Sequence, residues 1–581
     1  MKRYSWLLSL FFAFSVFLAA CTLDQEARGK KASPDWSRAL PLEGMPVGGM
    51  DLGLDEGHLH VVWPEREGNE TRVRYTRLDF PAEVRDTRLL DVGEEVPRYL
   101  RLLPLSGGRY VLLWASRLPG TGPWGLRALL LDSGGQPQGS VSPLLSPERE
   151  VARFDAVALP DGEVFLVWSQ NVPGGVFAAR WNPMTGVLSP PERLAAEGEA
   201  PAVQVGRDGV VHLAWRSGQD IWYTAMDADD ASVEPPVVVA RTPAGTGTSV
   251  SPVVIGLSQG RVYLFWAVLN RSGMEAGTGY TAYVSFLCGE AQRGVPQRIL
   301  IAAAEEPPYQ PVDVWTGITV LAPPVPQAAG SDFILSPAVP RGEQDVMLLA
   351  LSVRQAYRLD AHQQIALGVL RDGAFEGYAF VTRSQQLSDE PHIALDAGGY
   401  THLLWREGAF GQRVFYATNE PEARAELDAL TSADFLNALL EGGLESLTSM
   451  LLLPIIGFGW LLPGLALLGV WKLVRDDESI HGWASRFVLA VALGVYQAVK
   501  WISLPSMVVY VPFSAWLDVP PAWHTPLQIG VPVFTLLAGI VVASRVARRQ
   551  NPSTVLFYLV VGLVDALLTL SVYGVILLGA Y

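Results

Sequence analysis

Cysteine is nearly absent: only Cys21 and Cys288 occur in 581 residues. No disulfide framework can therefore hold the fold, and its stability has to come from burial. Charge is sparse too, at 17% of residues with a net of −15, and the basic residues form no clustered stripe outside the C-terminal tail. That excludes nucleic acid as the expected partner. No Gly-rich phosphate loop follows a strand, and no G-x-S-x-G elbow occurs, so neither nucleotide chemistry nor serine hydrolysis has its usual frame. The histidines are scattered, with His58, His60, His212 and His402 in or beside strands, and no pair has helical metal-ligand spacing. Asp227, Asp229 and Asp230 crowd one loop, MDADDAS, which lacks the glycine and distal glutamate of a calcium loop and reads as a solvated turn. No cofactor and no metal are expected. Cys288, in FLCGE, reads as a small buried strand residue.

What is abundant is repetition. Gly-led strands end in tryptophan six times: GHLHVVW at Trp63, GRYVLLW at Trp114, GEVFLVW at Trp168, GVVHLAW at Trp215, GRVYLFW at Trp266 and GYTHLLW at Trp405. Each is answered by a second strand, such as DIWYTAMD or QRVFYATNE, with the period-two alternation of a sheet that buries one face. Successive tryptophans lie 51, 54, 47 and 51 residues apart and then 139, a period that suits four-stranded propeller blades. A weaker copy beginning DVMLLALSV fits the long gap if Leu351 stands in the tryptophan position. The expected fold is an all-β propeller over residues 45–420 with six to eight blades, seven being favoured. The Pro-rich segment 303–345 reads as an insertion over one face, because proline cannot donate to a central ladder.

These repeats resemble the sialidase or BNR-type propellers of bacterial exported proteins. The likeness covers about 370 residues and implies a fold, with an enzymatic possibility. Family enzymes carry Asp boxes of the form Ser-x-Asp-x-Gly-x-x-Trp; here, in both Asp161-Gly162 and Asp208-Gly209, the Asp stands seven and the Gly six residues ahead of its tryptophan, Trp168 or Trp215, in the turn before the strand. A sialidase also needs several arginines, a tyrosine activated by a glutamate, and an aspartate acid or base. That set does not assemble from the sequence, and no catalytic residue is assigned. Arg216 and Arg406, each directly after a repeat tryptophan, are candidates for a propeller face. Tyr223, Tyr280 and Tyr416 have the regularity of core packing, and the repeat tryptophans read as inter-blade core.

Both ends of the chain speak of a membrane. Lys2 and Arg3 precede an apolar stretch from Trp6 to Ala20, closed by Leu18-Ala19-Ala20-Cys21. This resembles a bacterial lipoprotein lipobox, which implies a leader over 1–20, lipidation of Cys21 and a linker over 21–44. The alternative is an uncleaved signal anchor, although the apolar run is shorter than the roughly 20 residues a span needs. Residues 421–448 read as a juxtamembrane helix, and 449–581 as a four-helix transmembrane domain with spans at 449–473, 485–510, 526–547 and 554–580. Lys472, Arg475 and Arg486 cluster between the first two spans, and Arg545, Arg548 and Arg549 between the last two, which the positive-inside rule places in the cytoplasm. The propeller and C-terminus are then outside the cell. Trp471, Trp483, Trp516 and Trp523 are expected at the interfaces. Lys500 and Asp565 sit at similar depth, about 21 Å and 18 Å into their helices, and are expected to pair.

The functional expectation is a membrane-anchored recognition or assembly protein whose propeller binds an extracytoplasmic protein or glycan. Two alternatives stand beside it: a sialidase-like exo-glycosidase acting on surface glycans, and a transporter or membrane-complex subunit using the Lys500/Asp565 pair.

Overall fold

The computed structural model describes residues 28–577, apart from short segments, the longest being 118–122, 228–233, 305–309, 476–481, 504–508 and 548–552. The leader, Cys21, Asp229, Asp230, Pro505, Arg548, Arg549 and Tyr581 lie outside the described residues. The chain divides into two compact units, the first formed by 28–356 and 361–429 and the second containing 430–581.

The first unit is a seven-bladed propeller of antiparallel sheets. Its inner strands are Asp51–Asp55, Val96–Leu105, Val151–Ala158, Glu199–Val205, Val254–Ser258, Ile334–Ala338 and Ser388–Leu395, defining blades 1 to 7. In blade 7 the outermost strand comes from the other end of the domain: Leu40–Pro41 pairs with Arg413–Thr418, Leu40 opposite Tyr416. The stretch read as a linker is therefore structural from residue 28 on. Trp36 is fully buried against Ile318, Leu321 and Leu403, and Ser37 N donates to Thr418 O at 2.8 Å.

Each repeat tryptophan is buried between its own blade and the one before. Trp63 packs with Leu404 and Val414 of blade 7, Trp114 with Val62 and Tyr75 of blade 1, Trp168 with Leu113 of blade 2, and Trp215 with Val167 of blade 3. Blade 6 has Leu351 there, and the missing volume is supplied by Tyr263, Phe265 and Tyr283 of blade 5. A large ring at a fixed register thus glues neighbouring blades, which is why the sequence repeats it.

Segment 303–345 is more than an insertion. It holds a hairpin, Gln310–Trp315 with Ile318–Leu321, but also the inner strand of blade 6, Ile334–Ala338. Pro337 is tolerated because the ladder is broken there, between Leu335 and Ala338. Cys288 falls just past its strand, Gly279–Leu287, and is half-buried.

The expected single juxtamembrane helix is two. Helix α1 (Pro421–Leu427) belongs to the propeller unit, burying Ala423 and Leu427. Helix α2 (Ser432–Met450) starts afresh with a capping box: Thr431 Oγ1 accepts from Asp434 N at 3.2 Å, and Asp434 Oδ2 accepts from Thr431 N at 2.7 Å. Two reciprocal caps fix a new helix start and explain the break. After a π-helical turn, Leu453–Gly457, come α3 (Phe458–Arg475), α4 (Trp483–Ser503), α5 (His524–Ala547) and α6 (Thr554–Leu577). Four helical segments are long and apolar enough to cross a membrane: Leu453–Arg475, Trp483–Ser503, His524–Ala547 and Thr554–Val575. Trp483 and Trp523 are exposed, but Trp516 is 8% exposed and donates Nε1 to Glu445 at 2.7 Å, a core position rather than a lipid-facing anchor.

Candidate functional site

The inner strands surround a central axis, and their register sets which side chains point along it. The residue opposite the position just before the repeat tryptophan is Asp51 in blade 1 (opposite Val62), Arg101 in blade 2 (Leu113), Asp155 in blade 3 (Val167) and His392 in blade 7 (Leu404). Four consecutive blades thus place His392, Asp51, Arg101 and Asp155 in one charged layer. Arg101 Nε donates to Asp155 Oδ1 at 2.6 Å, while Asp155 Oδ2 accepts from Val203 N of blade 4 at 3.1 Å. Asp51 Oδ2 accepts from Leu102 N at 2.7 Å, and His392 Nδ1 lies 3.9 Å from its other oxygen.

A loop reaches this layer from blade 6. Arg341, in the turn after the blade 6 inner strand, pairs with Asp51 and donates Nη1 to Leu52 O at 2.8 Å and Leu102 O at 2.6 Å. Its neighbour Gly342 N donates to Gln204 of blade 4, and Glu343 accepts from Arg207 N and Gly260 N. The segment ties blades 1, 2, 4 and 5 together. Burial raises the Asp51 carboxyl, but the Arg341 and Arg101 guanidiniums outweigh it and hold the group below the usual carboxylate range. Burial pushes His392 down to about 4, against the opposing pull of Asp51.

At the end where the inner strands begin, the backbone is strained. Ladders slip between Arg98 and Arg101, Val151 and Arg153, Glu199 and Ala202, Leu335 and Ala338, and Asp389 and His392. Tyr99, Ala200, Ser336 and Glu390 take left-handed conformations with φ of 55°, 48°, 54° and 50°. Each such residue costs on the order of 1–3 kcal/mol, and strain of this kind clusters at functional sites. Two of these bulges carry ion pairs. Arg406 Nη2 lies 2.5 Å from Glu390 Oε1, and Arg216 Nη2 lies 2.6 Å from Glu199 Oε1 with Nη1 on Val250 O at 2.9 Å. Asp389 Oδ1 accepts from Ser336 Oγ at 2.8 Å.

Three arginines differ from these. Arg98 and Arg153 lie 4.4 Å and 4.5 Å from the centre of the Tyr99 ring, while Arg98 and Arg117 lie 5.5 Å and 4.7 Å from Trp124. None of the three forms an ion pair with a described carboxylate, and Arg98 is exposed. Burial and the like charges of Arg101 and Arg98 push Arg153 below its ordinary value, although Tyr99 and Asp155 oppose this. Guanidiniums held against aromatic faces, with no ion pair to a described carboxylate, make a receptor for an anion that also presents an apolar face.

Arg216 and Arg406, each locked to a carboxylate, stand beside these bulges. Tyr223 and Tyr416 are buried partners of histidines instead: His60 Nδ1 meets Tyr75 Oη at 2.6 Å, His212 meets Tyr223 at 2.7 Å, and His402 meets Tyr416 at 2.9 Å. Burial raises all three phenols, the opposite of an activated nucleophile. Tyr280 carries Arg298 over its ring at 3.8 Å. Asp161 and Asp208 accept from Glu163 N and Val210 N at 2.9 Å and 3.0 Å, fixing their turns. Asp227 ends the strand Asp220–Asp227, and no cluster of metal ligands occurs among the described residues.

The sequence reading missed Tyr99, Arg98 and Arg153, yet a signal for them existed. Tyr99, Arg153, Ala200, Ser336 and Glu390 all stand fifteen residues before their blade's tryptophan or, in blade 6, Leu351. His60, His212 and His402 stand three before.

In the second unit, Lys500 Nζ lies 2.7 Å from Asp565 Oδ2, with both side chains fully buried. The same oxygen accepts from Tyr496 Oη at 2.6 Å and Gln497 Nε2 at 3.3 Å, and Lys500 also reaches Thr569 Oγ1 at 3.4 Å. The pair joins α4 to α6.

No family description and no curated protein matches this chain. Solved structures with a similar course of chain include the polysaccharide lyase Uly1, at 10% identity over 65% of this chain and 90% of that one with a TM-score of 0.41. The sialidase of Trypanosoma rangeli with the inhibitor DANA is similar at 8% identity, 73% and 61% coverage and a TM-score of 0.35. The α-L-arabinanase of Penicillium chrysogenum with arabinobiose gives 12%, 68%, 98% and 0.36. Likenesses this remote carry nothing about ligand or activity. The class is set by the sheets and helices themselves: a seven-bladed β-propeller followed by four helices long and apolar enough to span a membrane.

Proposed function

We propose that this chain is a membrane-held recognition protein whose propeller binds an anionic glycan at the end of its axis where the inner strands begin. The observation that carries the reading is the Arg98–Tyr99–Arg153 arrangement, two guanidiniums on one aromatic ring that form no ion pair with a described carboxylate, continued by Trp124 and Arg117. Carboxylate or sulfate groups answer the arginines, and the flat C–H faces of sugar rings answer Tyr99 and Trp124. Binding without turnover fits the neighbouring charges. Asp51, Asp155, Glu199 and Glu390 are each engaged by an arginine, and the buried tyrosines are pushed up rather than activated. Among the described residues near Tyr99, the carboxylates Asp155 and Glu390 are each held by an arginine rather than paired as an acid and base.

The helices would hold this receptor in the bacterial cell membrane, with the propeller and C-terminus outside and the basic loops in the cytoplasm; lipidation at Cys21 would add a second tether. Full-length protein in nanodiscs, offered a panel of acidic and neutral oligosaccharides, is expected to retain uronate- or sulfate-bearing chains and to release them as salt rises. Retention of neutral chains alone would reject the reading.

A further inference from the structure

Three features of the membrane unit meet along one half of α6. The first is a polar file. Asp565, Thr569 and Tyr573 are four residues apart, so they share one helix face about 6 Å per step, and all are buried. Three donors crowd Asp565 Oδ2, yet Asp565 Oδ1 has no hydrogen-bond partner among the described residues, and neither do Tyr573 Oη or, on the facing segment, Ser449 Oγ. Leaving such atoms unpaired is costly, and buried polar atoms of this kind are the usual partners of internal water.

The second feature is the wall opposite. Helix α2 ends at Met450 and α3 begins only at Phe458, with Pro454 and a π-helical turn between. Gly457 faces Ala566 and Ser449 abuts Gly574, so this irregular backbone runs beside the very stretch of α6 that carries Thr569 and Tyr573. Backbone of that kind at membrane depth is tolerated where it is packed in protein or lines water.

The third is asymmetry. Beyond Asp565 toward the start of α6 the polar file stops: Tyr558 Oη is bonded to Leu461 O at 3.0 Å, and Leu461, Leu468, Ala492 and Val561 are buried.

We infer that a file of water enters the bundle at the end bearing residues 509–517, threading past the buried rings of Tyr510 and Trp516 that pack with Tyr573 there, passes Ser449, Tyr573 and Thr569, and stops at Asp565 Oδ1. The Lys500–Asp565 pair is thereby open to solvent from one side only, as the inner end of a half-path for water and hydronium. This rests on the helices crossing a membrane and is independent of what the propeller binds.

The test uses full-length protein in sealed vesicles of both orientations, in a Cys288→Ser background whose residual labelling is subtracted. Single cysteines are placed by Ser449→Cys, Thr569→Cys and Tyr573→Cys, with Val561→Cys and Leu468→Cys on the far half. Silver ion, close to water in size, is added, and unreacted thiol is counted after denaturation. Silver is expected to react at least ten times faster at 449, 569 and 573 than at 561 and 468, and from one side. Ser449→Cys changes one atom, so it reports even if the bulkier variants assemble poorly. Equal rates at 449 and 561, whether slow or fast, would overturn the inference.

Discussion

The Lys500 ammonium and the Asp565 carboxylate, 65 positions apart in sequence, lie 2.7 Å apart with no exposed surface on either side chain, and they join two of the helices long and apolar enough to span a membrane. Removing one member strands the other charge in the buried interior of the bundle. Lys500→Met or Asp565→Leu alone is expected to destabilise the bundle by about 3–5 kcal/mol, whereas the double variant should lie within about 1–2 kcal/mol of the parent. Unfolding by detergent titration distinguishes the two patterns. Equal losses in the singles and the double would mean that the pair holds nothing together.

The pair was legible in the sequence because helical rise converts residue count into depth. The polar file above it was not, since Ser449 and Tyr573 are 124 positions apart and only packing unites them. The propeller was legible for a related reason. Inter-blade packing requires the same ring at the same register, so Trp63 to Trp405 announce their blades. Blade 6 was harder to see because Tyr263, Phe265 and Tyr283 on a neighbouring blade carry its aromatic volume. The rim arginines escaped notice because a bulge, not a motif, turns them outward, and register slips leave little trace in hydrophobic alternation.

That compensation in blade 6 can be measured. Trp215→Ala should cost about 3–5 kcal/mol by emptying a buried inter-blade site. Leu351→Trp should also destabilise, by about 1–3 kcal/mol, because the space is already filled. Denaturant midpoints of the propeller report both. A stabilising Leu351→Trp would show an unfilled cavity.

Acid should weaken the propeller through its buried histidines. Burial pushes His60, His212 and His392 down to about 4 and lowers His402 as well. A histidine whose folded pKa lies below its unfolded value near 6.5 contributes stability that is fully present above 6.5 and lost as pH falls toward 4. Glu390, raised by burial despite Arg406, and Glu420, raised by burial, act in the opposite sense but are two groups against four. The propeller melting temperature should therefore fall between pH 6.5 and 4, and His212→Gln should flatten the slope. A melting temperature constant across that window would contradict the burial of these rings.

Arg341 is the keystone of the blade 6 loop. Arg341→Ala leaves Asp51 buried without its nearest cation, a loss expected to cost about 3–5 kcal/mol, and His392 should then titrate at higher pH because a repelling charge is gone. Histidine NMR shifts follow the second effect. An unmoved His392 would place Arg341 outside its electrostatic reach.

The central claim is that Arg153 and Arg98 on the Tyr99 ring form an anion-recognising rim. Its most direct measurement is the affinity of full-length protein in nanodiscs for the tightest-binding acidic oligosaccharide, compared between parent and Arg153→Ala by titration calorimetry at fixed salt, with melting temperatures matched. A loss of tenfold or more, deepened by Arg98→Ala and absent for Arg216→Ala, is the expected result. Unchanged affinity in the Arg98→Ala/Arg153→Ala double variant would contradict the account.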